Sequence, residues 1–187
     1  YDLGLSTSQV FSAGSVLGVR NATEMINIQK TYLEKSRLNI PLLMMADVIH
    51  GYETIFPIPL AVSCSWNESL AYLSSRIAGK EAAAGGIHMT FAPMADLSRD
   101  PRWGRVMEGA GEDTYLGSKI AYARVKGFQG NLGDTNSVMA CVKHFVGYGA
   151  AVGGRDYNSV DMSDRMLWET YLPPFKAALD AGAATFM

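Results

Sequence analysis

Short apolar runs alternate along this chain with longer stretches in which apolar positions return at helical spacing. The first pattern marks strands buried on both faces and the second marks amphipathic helices, so their alternation predicts βα units on a parallel sheet. A short strand is expected over 15–19. Asn21, with Glu24 three residues later, then predicts a capping box for a helix running to about Leu38 that buries Met25, Ile28 and Tyr32. Pro41 opens a second strand through Ala46. After Phe56-Pro57-Ile58-Pro59, Ser65 with Glu68 signals a helix carrying Leu70, Leu73 and Ile77, which Gly85-Gly86 stops. Met89 to Ala95 reads as a third strand. A helix from about Thr114 to Phe128 follows, with Leu116 and Ile120 inward, and then a fourth strand over 137–142. Ser163 caps a helix through Tyr171 that Pro173-Pro174 interrupts or restarts, and Ala183 to Met187 begins another strand. The pattern therefore gives about four βα units and the start of a fifth.

Three of these strands end in polar groups. Asp47 follows the second, with His50-Gly51 just beyond. Asp96 ends the third and leads into the loop 98–105, rich in Arg, with Trp103 and Gly104. Lys143 and His144 end the fourth, followed by the glycine-rich stretch 147–154. Substrates of α/β folds bind at the carboxyl ends of the strands, so acidic and basic side chains are being delivered to the face where chemistry is done.

Composition narrows the partner. The formal charge of −2 and the absence of any Lys or Arg run argue against nucleic acid or an anionic membrane surface, and a neutral substrate fits better. No apolar run approaches the roughly 18 residues needed to span a bilayer. The three His and two Cys are scattered without ligand spacing, so no metal or cofactor is expected. Cys64 and Cys141 read as buried free thiols. With 187 residues, 48% of them hydrophobic, the chain can build one sizeable core, but a complete (β/α)8 barrel takes roughly 250. It opens on Tyr1-Asp2-Leu3 and is expected to begin inside a longer protein.

The segments 47–51 (Asp-Val-Ile-His-Gly), 92–96 (Ala-Pro-Met-Ala-Asp), 100–105 (Asp-Pro-Arg-Trp-Gly-Arg), 111–113 (Gly-Glu-Asp) and 143–145 (Lys-His-Phe) resemble, in order and spacing, the family 3 glycoside hydrolases. The likeness runs from about Ser15 to Met187 and is to the β-glucosidase branch. The stretch 148–158 is similar to exported bacterial β-glucosidases, whereas the β-N-acetylhexosaminidase branch carries an Asp-Ser-His motif not found here. The resemblance implies an α/β fold of (β/α)8 TIM-barrel type, of which residues 1–187 would be the N-terminal portion, about the first half. It implies a periplasmic or secreted location. It implies a parent that is a retaining enzyme removing terminal β-D-glucosyl residues, with a β-linked glucoside or oligosaccharide as partner; a β-xylosidase or other exo-β-glycosidase of the family is the alternative. Asp47, Arg105, Lys143 and His144 would grip the non-reducing terminal sugar, with Arg155 as a further contact, and a non-proline cis peptide is implied around 143–145.

Retention needs two carboxyl groups about 5 Å apart. The family's nucleophile lies in a Ser-Asp-Trp or Ser-Asp-His motif that this sequence lacks, and its acid/base comes from still farther along, so no catalytic residue is assigned here and the isolated chain is expected to be inactive. Half a barrel would expose edge strands, so self-association, a rearranged sheet or cover by the rest of the polypeptide is expected.

Blander readings stand beside these. Asp47 and Lys143 can be a structural ion pair, and His144 a satisfied core histidine. His88 is read as structural. Trp103 either stacks on a sugar or covers the rim. Glu108, Glu112 and Asp113 are read as holding the loop, and Arg99, Asp100 and Arg102 as loop ion pairs. Two competing functions remain: a phosphate-handling (β/α)8 enzyme using the 147–154 glycines, and a non-catalytic carbohydrate-binding fragment.

Overall fold

The computed structural model describes residues 4–19 and 21–187. Five parallel strands lie in the order β1-β2-β3-β4-β5, each beside its neighbours in sequence. They are β1 Ser15–Leu17, β2 Leu43–Ala46, β3 Met89–Thr90, β4 Met139–Val142 and β5 Thr185–Phe186. Helix α1 Thr7–Val10 precedes β1, and every crossover carries helix: α2 Ala22–Lys35, then α3 Pro59–Ser63 with α4 Glu68–Ala84, then α5 Thr114–Gln129, then α6 Asp164–Met166 with α7 Pro173–Asp180. Parallel strands in sequential order with helical crossovers make an α/β wall of TIM-barrel type. Four βα units and the first strand of a fifth are present.

Asn21 caps α2 as expected, its Oδ1 accepting from the Thr23 and Glu24 N–H groups at 2.8 and 3.2 Å. The helix buries Met25 and Tyr32, leaves Ile28 at the core's margin and stops at Lys35 rather than Leu38. The cap of α4 is Asn67, not Ser65: Asn67 Oδ1 accepts from the Ser69 and Leu70 N–H groups at 2.9 and 3.4 Å, while Ser65 Oγ donates to Val62 O. Ser163 caps α6 as expected. Its continuation widens into a π-helical stretch, Leu167–Tyr171, and the helix restarts at Pro173, where the missing N–H costs nothing.

The face of α4 differs from the apolar pattern. It buries Ala71, Ser75, Ala78, Gly79 and Ala82, whereas Leu70, Leu73 and Ile77 lie exposed. Close approach to α5 is the reason. A Cβ on Gly79 would stand 2.9 Å from Phe128 O, and one on Gly127 would stand 2.5 Å from Tyr72 O, so only small residues fit the seam. Cys141 is buried in β4, but Cys64 is exposed, because it forms the C-cap of α3 at the surface.

The third strand is shorter than its apolar run. Met89 and Thr90 pair on both sides, and pairing resumes only at Met94, opposite Lys143. Pro93 between them has no N–H to give the ladder; its O instead accepts from the Lys143 N–H at 3.1 Å. The core gathers Met44, Val48, Val125, Phe128, Val138, Val142 and Phe175 between the sheet and its helices. Among the described residues strands β1 and β5 each keep one unpaired edge, with Leu17 and Phe186 exposed on them.

Candidate functional site

Asp47 leaves the end of β2 and Lys143 the end of β4, with the β3 chain between them. Their side chains meet, Lys143 Nζ to Asp47 Oδ1 at 3.1 Å. Lys143 is almost fully buried, its side chain 4% exposed, while Asp47 is 49% exposed and opens to solvent. Beside Asp47 an open cavity of about 340 Å³ is bounded by Leu17, Gly18, Ala46, Tyr52 and Glu53. On the other side Lys143 Nζ lies 3.9 Å from Glu108 Oε2. Glu108 grips Arg105 with both oxygens, at 2.7 and 2.9 Å, a two-pronged pair that fixes the guanidinium plane. Burial alone would raise the Glu108 pKa; the hydrogen bonds and charge of Arg105, with Lys143 and His144 nearby, outweigh it and hold the carboxyl below its ordinary value. The same hydrogen bonds push Arg105 upward.

His144 is held by Asp96, the residue that ends the third apolar run. Asp96 Oδ2 accepts the His144 backbone N–H at 2.8 Å and lies 2.8 Å from His144 Nδ1. A carboxylate accepts, so in the neutral ring Nδ1 carries the proton and Nε2 is left as an acceptor. The Lys143–His144 bond is cis, as the resemblance implies, and Phe145–Val146 is cis as well.

The loop after β4 folds back over this group. Tyr148 packs edge-on against His144, ring centroids 4.8 Å apart, and against Trp103 at 5.1 Å, with the Arg105 guanidinium 5.5 Å over its ring. Asp156 ties the loop down, accepting from Trp103 Nε1 at 2.9 Å and from the Tyr148 hydroxyl. Loss of solvation and the hydrogen bond to Asp156 push the Tyr148 hydroxyl up to about 12. Trp103 is buried at 1% exposure, so it covers the rim rather than offering a face for stacking.

The structure thus brings Asp47, Arg105, Lys143 and His144 into one connected group. Arg155 stands apart. It is exposed on the far part of the loop, and among the described residues nothing joins its guanidinium to the other four. The loop residues behave as structural ties: Asp100 binds Arg102 through two side-chain hydrogen bonds and Asp113 caps α5. His88 Nδ1 accepts from the Met44 N–H at 3.0 Å, a structural role. Glycines 149 and 154 are used in packing. A Cβ there would meet Leu97 O at 2.2 Å and Trp103 N at 2.9 Å, so both are needed for close packing against the loop after β3. Among the described residues no group of three or more His, Cys, Asp or Glu is arranged to hold a metal, and no helix is long and apolar enough to cross a membrane.

Sequence reasoning missed Asp96 as the partner of His144, and the Trp103–Asp156–Tyr148 tie. A carboxylate ending the strand beside the His144 strand was the one available signal for the first. The second joins loops 53 residues apart and leaves no local trace.

The description of the glycosyl hydrolase family 3 N terminal domain matches residues 6–187. This chain belongs to glycoside hydrolase family 3. Within the family, the periplasmic β-glucosidase of Salmonella typhimurium is 46% identical over 175 residues, 93% of this chain and 23% of that protein. A putative β-xylosidase of Formosa agariphila is 38% identical over 160 residues, 82% of this chain and 21% of that one. The β-glucosidase of Listeria innocua, solved in complex with isofagomine, superposes with a TM-score of 0.97 at 49% identity, covering 100% of this chain and 27% of that one. This family 3 chain therefore spans about a quarter of the length of the relatives it matches.

Proposed function

We propose that this chain is the N-terminal part of the catalytic barrel of an exo-acting, retaining β-glucosidase, and that it supplies the groups holding the terminal sugar. The observation that carries the reading is the 3.1 Å meeting of Lys143 and Asp47 from strand ends two apart, beside Arg105 and His144. A half-exposed carboxylate can accept from two neighbouring hydroxyls, and charged partners form the stronger hydrogen bonds that recognition in water requires. In the neutral ring His144 Nε2 adds an acceptor. The Listeria β-glucosidase, 49% identical, is also described with glucose and with laminaribiose bound, ligands of the same neutral, hydroxyl-rich class. The nucleophile and the acid/base belong to parts of the parent protein outside these residues. The name of the Salmonella relative, a periplasmic β-glucosidase, supports a periplasmic or secreted location for the parent.

The test uses the 187-residue chain and the gene's full product together. The full product releases aryl from an aryl β-glucoside, the chain alone gives no turnover, and Asp47→Ala in the full product lowers kcat/KM by about 100-fold or more, as loss of a charged positioning contact does. Turnover by the isolated chain would sink the reading. The β-xylosidase alternative rests on the Formosa relative at 38% identity, and a higher kcat/KM on the aryl β-xyloside than on the glucoside decides for it.

A further inference from the structure

Arg124 of α5 is buried, yet no carboxylate answers its charge among the described residues. Its Nε donates to Ser75 Oγ at 3.3 Å, one Nη2 hydrogen goes to Ile49 O, and the guanidinium lies 5.6 Å from the Phe128 ring centroid. A guanidinium has five N–H donors, so three find no acceptor among the described residues. Burial lowers the Arg124 pKa to about 10, which still leaves it charged at neutral pH. An isolated buried charge is costly and is normally met by a counter-charge.

The guanidinium lines a cavity of about 20 Å³, with His50, Phe56, Ser74, Ser75 and Val62 among its walls and no Asp or Glu. A water-sized occupant needs roughly 10–15 Å³ by this measure, so the space admits one small species and excludes sulfate, phosphate or a sugar. We propose that this cavity is a binding site for a small monovalent anion of the halide class, held by Arg124 and the Ser75 hydroxyl. Its placement gives it a consequence. Arg124 holds Ile49, two residues after Asp47, so an anion that fixes the guanidinium also fixes the loop carrying Asp47.

The probe is chloride itself, followed by ³⁵Cl NMR linewidth as chain is added, with sodium bromide soaks of crystals for anomalous scattering. The expected result is excess chloride broadening that bromide displaces and gluconate does not, together with a bromide peak against the Arg124 guanidinium. Arg124→Met removes the excess broadening, and Arg124→Lys retains part of it. If Arg124→Met does not fold, the wild-type bromide map decides alone. Water at the guanidinium in that map, bromide only elsewhere on the surface, or equal broadening in a folded Arg124→Met chain overturns the site. None of these readouts involves a sugar, so their failure leaves the glucosidase reading untouched.

Discussion

Trp103 donates its indole N–H to Asp156 at 2.9 Å, and through that one carboxylate the loop after β3 is bound to the loop after β4. Both loops frame the Lys143 group, so the tie should set the shape of the site as well as its stability. Trp103→Ala removes a buried aromatic side chain and is expected to cost about 3–5 kcal/mol, read from urea unfolding. Asp156→Asn, which leaves the packing in place, should chiefly loosen the rim, seen as faster amide exchange over 148–158.

Loss of Asp47 should be felt by Lys143. In Asp47→Ala the buried ammonium keeps, among the described residues, only Glu108, at 3.9 Å, and the expected loss is about 1–2 kcal/mol, discounted because Asp47 is half exposed. Lys143→Met leaves no buried charge behind, so adding it to Asp47→Ala should recover part of that loss. Additive single effects in the double-mutant cycle would show that the pair is uncoupled.

Asp96→Ala tests the clamp on His144. Oδ2 accepts from both the backbone N–H and the ring, so its loss should release the ring to the tautomer with the proton on Nε2. Imidazole ¹⁵N shifts distinguish the two forms, and an unchanged spectrum would mean that Asp96 does not set the proton's position. Asp96→Ala also leaves the part-buried His144 N–H unpaired and should cost about 1–3 kcal/mol.

The seam between α4 and α5 admits no methyl group at Gly127. Gly127→Ala would place a Cβ 2.5 Å from Tyr72 O, a backbone atom that cannot swing aside, and about 1–3 kcal/mol of destabilisation is expected from thermal or urea unfolding. Leu73→Ala on the outer face of the same helix should change stability by roughly 0.5 kcal/mol or less.

The rim should fail at both ends of the pH scale. The folded-state pKa of Glu108 lies below its ordinary 4.5, so its contribution is present above 4.5 and disappears as pH falls through the depressed value. Tyr148 is raised from 10 to about 12, so its contribution is present below 10 and is lost between 10 and 12. Trp103 fluorescence against pH should show both transitions, with the acid one altered in Glu108→Gln and the alkaline one absent in Tyr148→Phe.

The helices around 22–35, 68–84 and 114–129 were legible because caps and apolar spacing act locally, and the same holds for the parallel alternation that makes the fold α/β. The strand-end positions of Asp47, Asp96, Lys143 and His144 were equally plain, since an apolar run closed by a charge needs no distant partner to be recognised. What escaped was decided at close contact between distant segments. The sequence could not say that α4 turns Leu70, Leu73 and Ile77 outward, because the choice of face depends on how near α5 comes, and two glycines on different helices settle that together. Nor could it say that Asp96 aims His144 or that Asp156 pins Trp103, since hydrogen bonds across 48 and 53 residues exist only after the strands have set their ends side by side. Chain-local forces wrote the elements, and the packing that excludes water from between them chose which polar groups would meet.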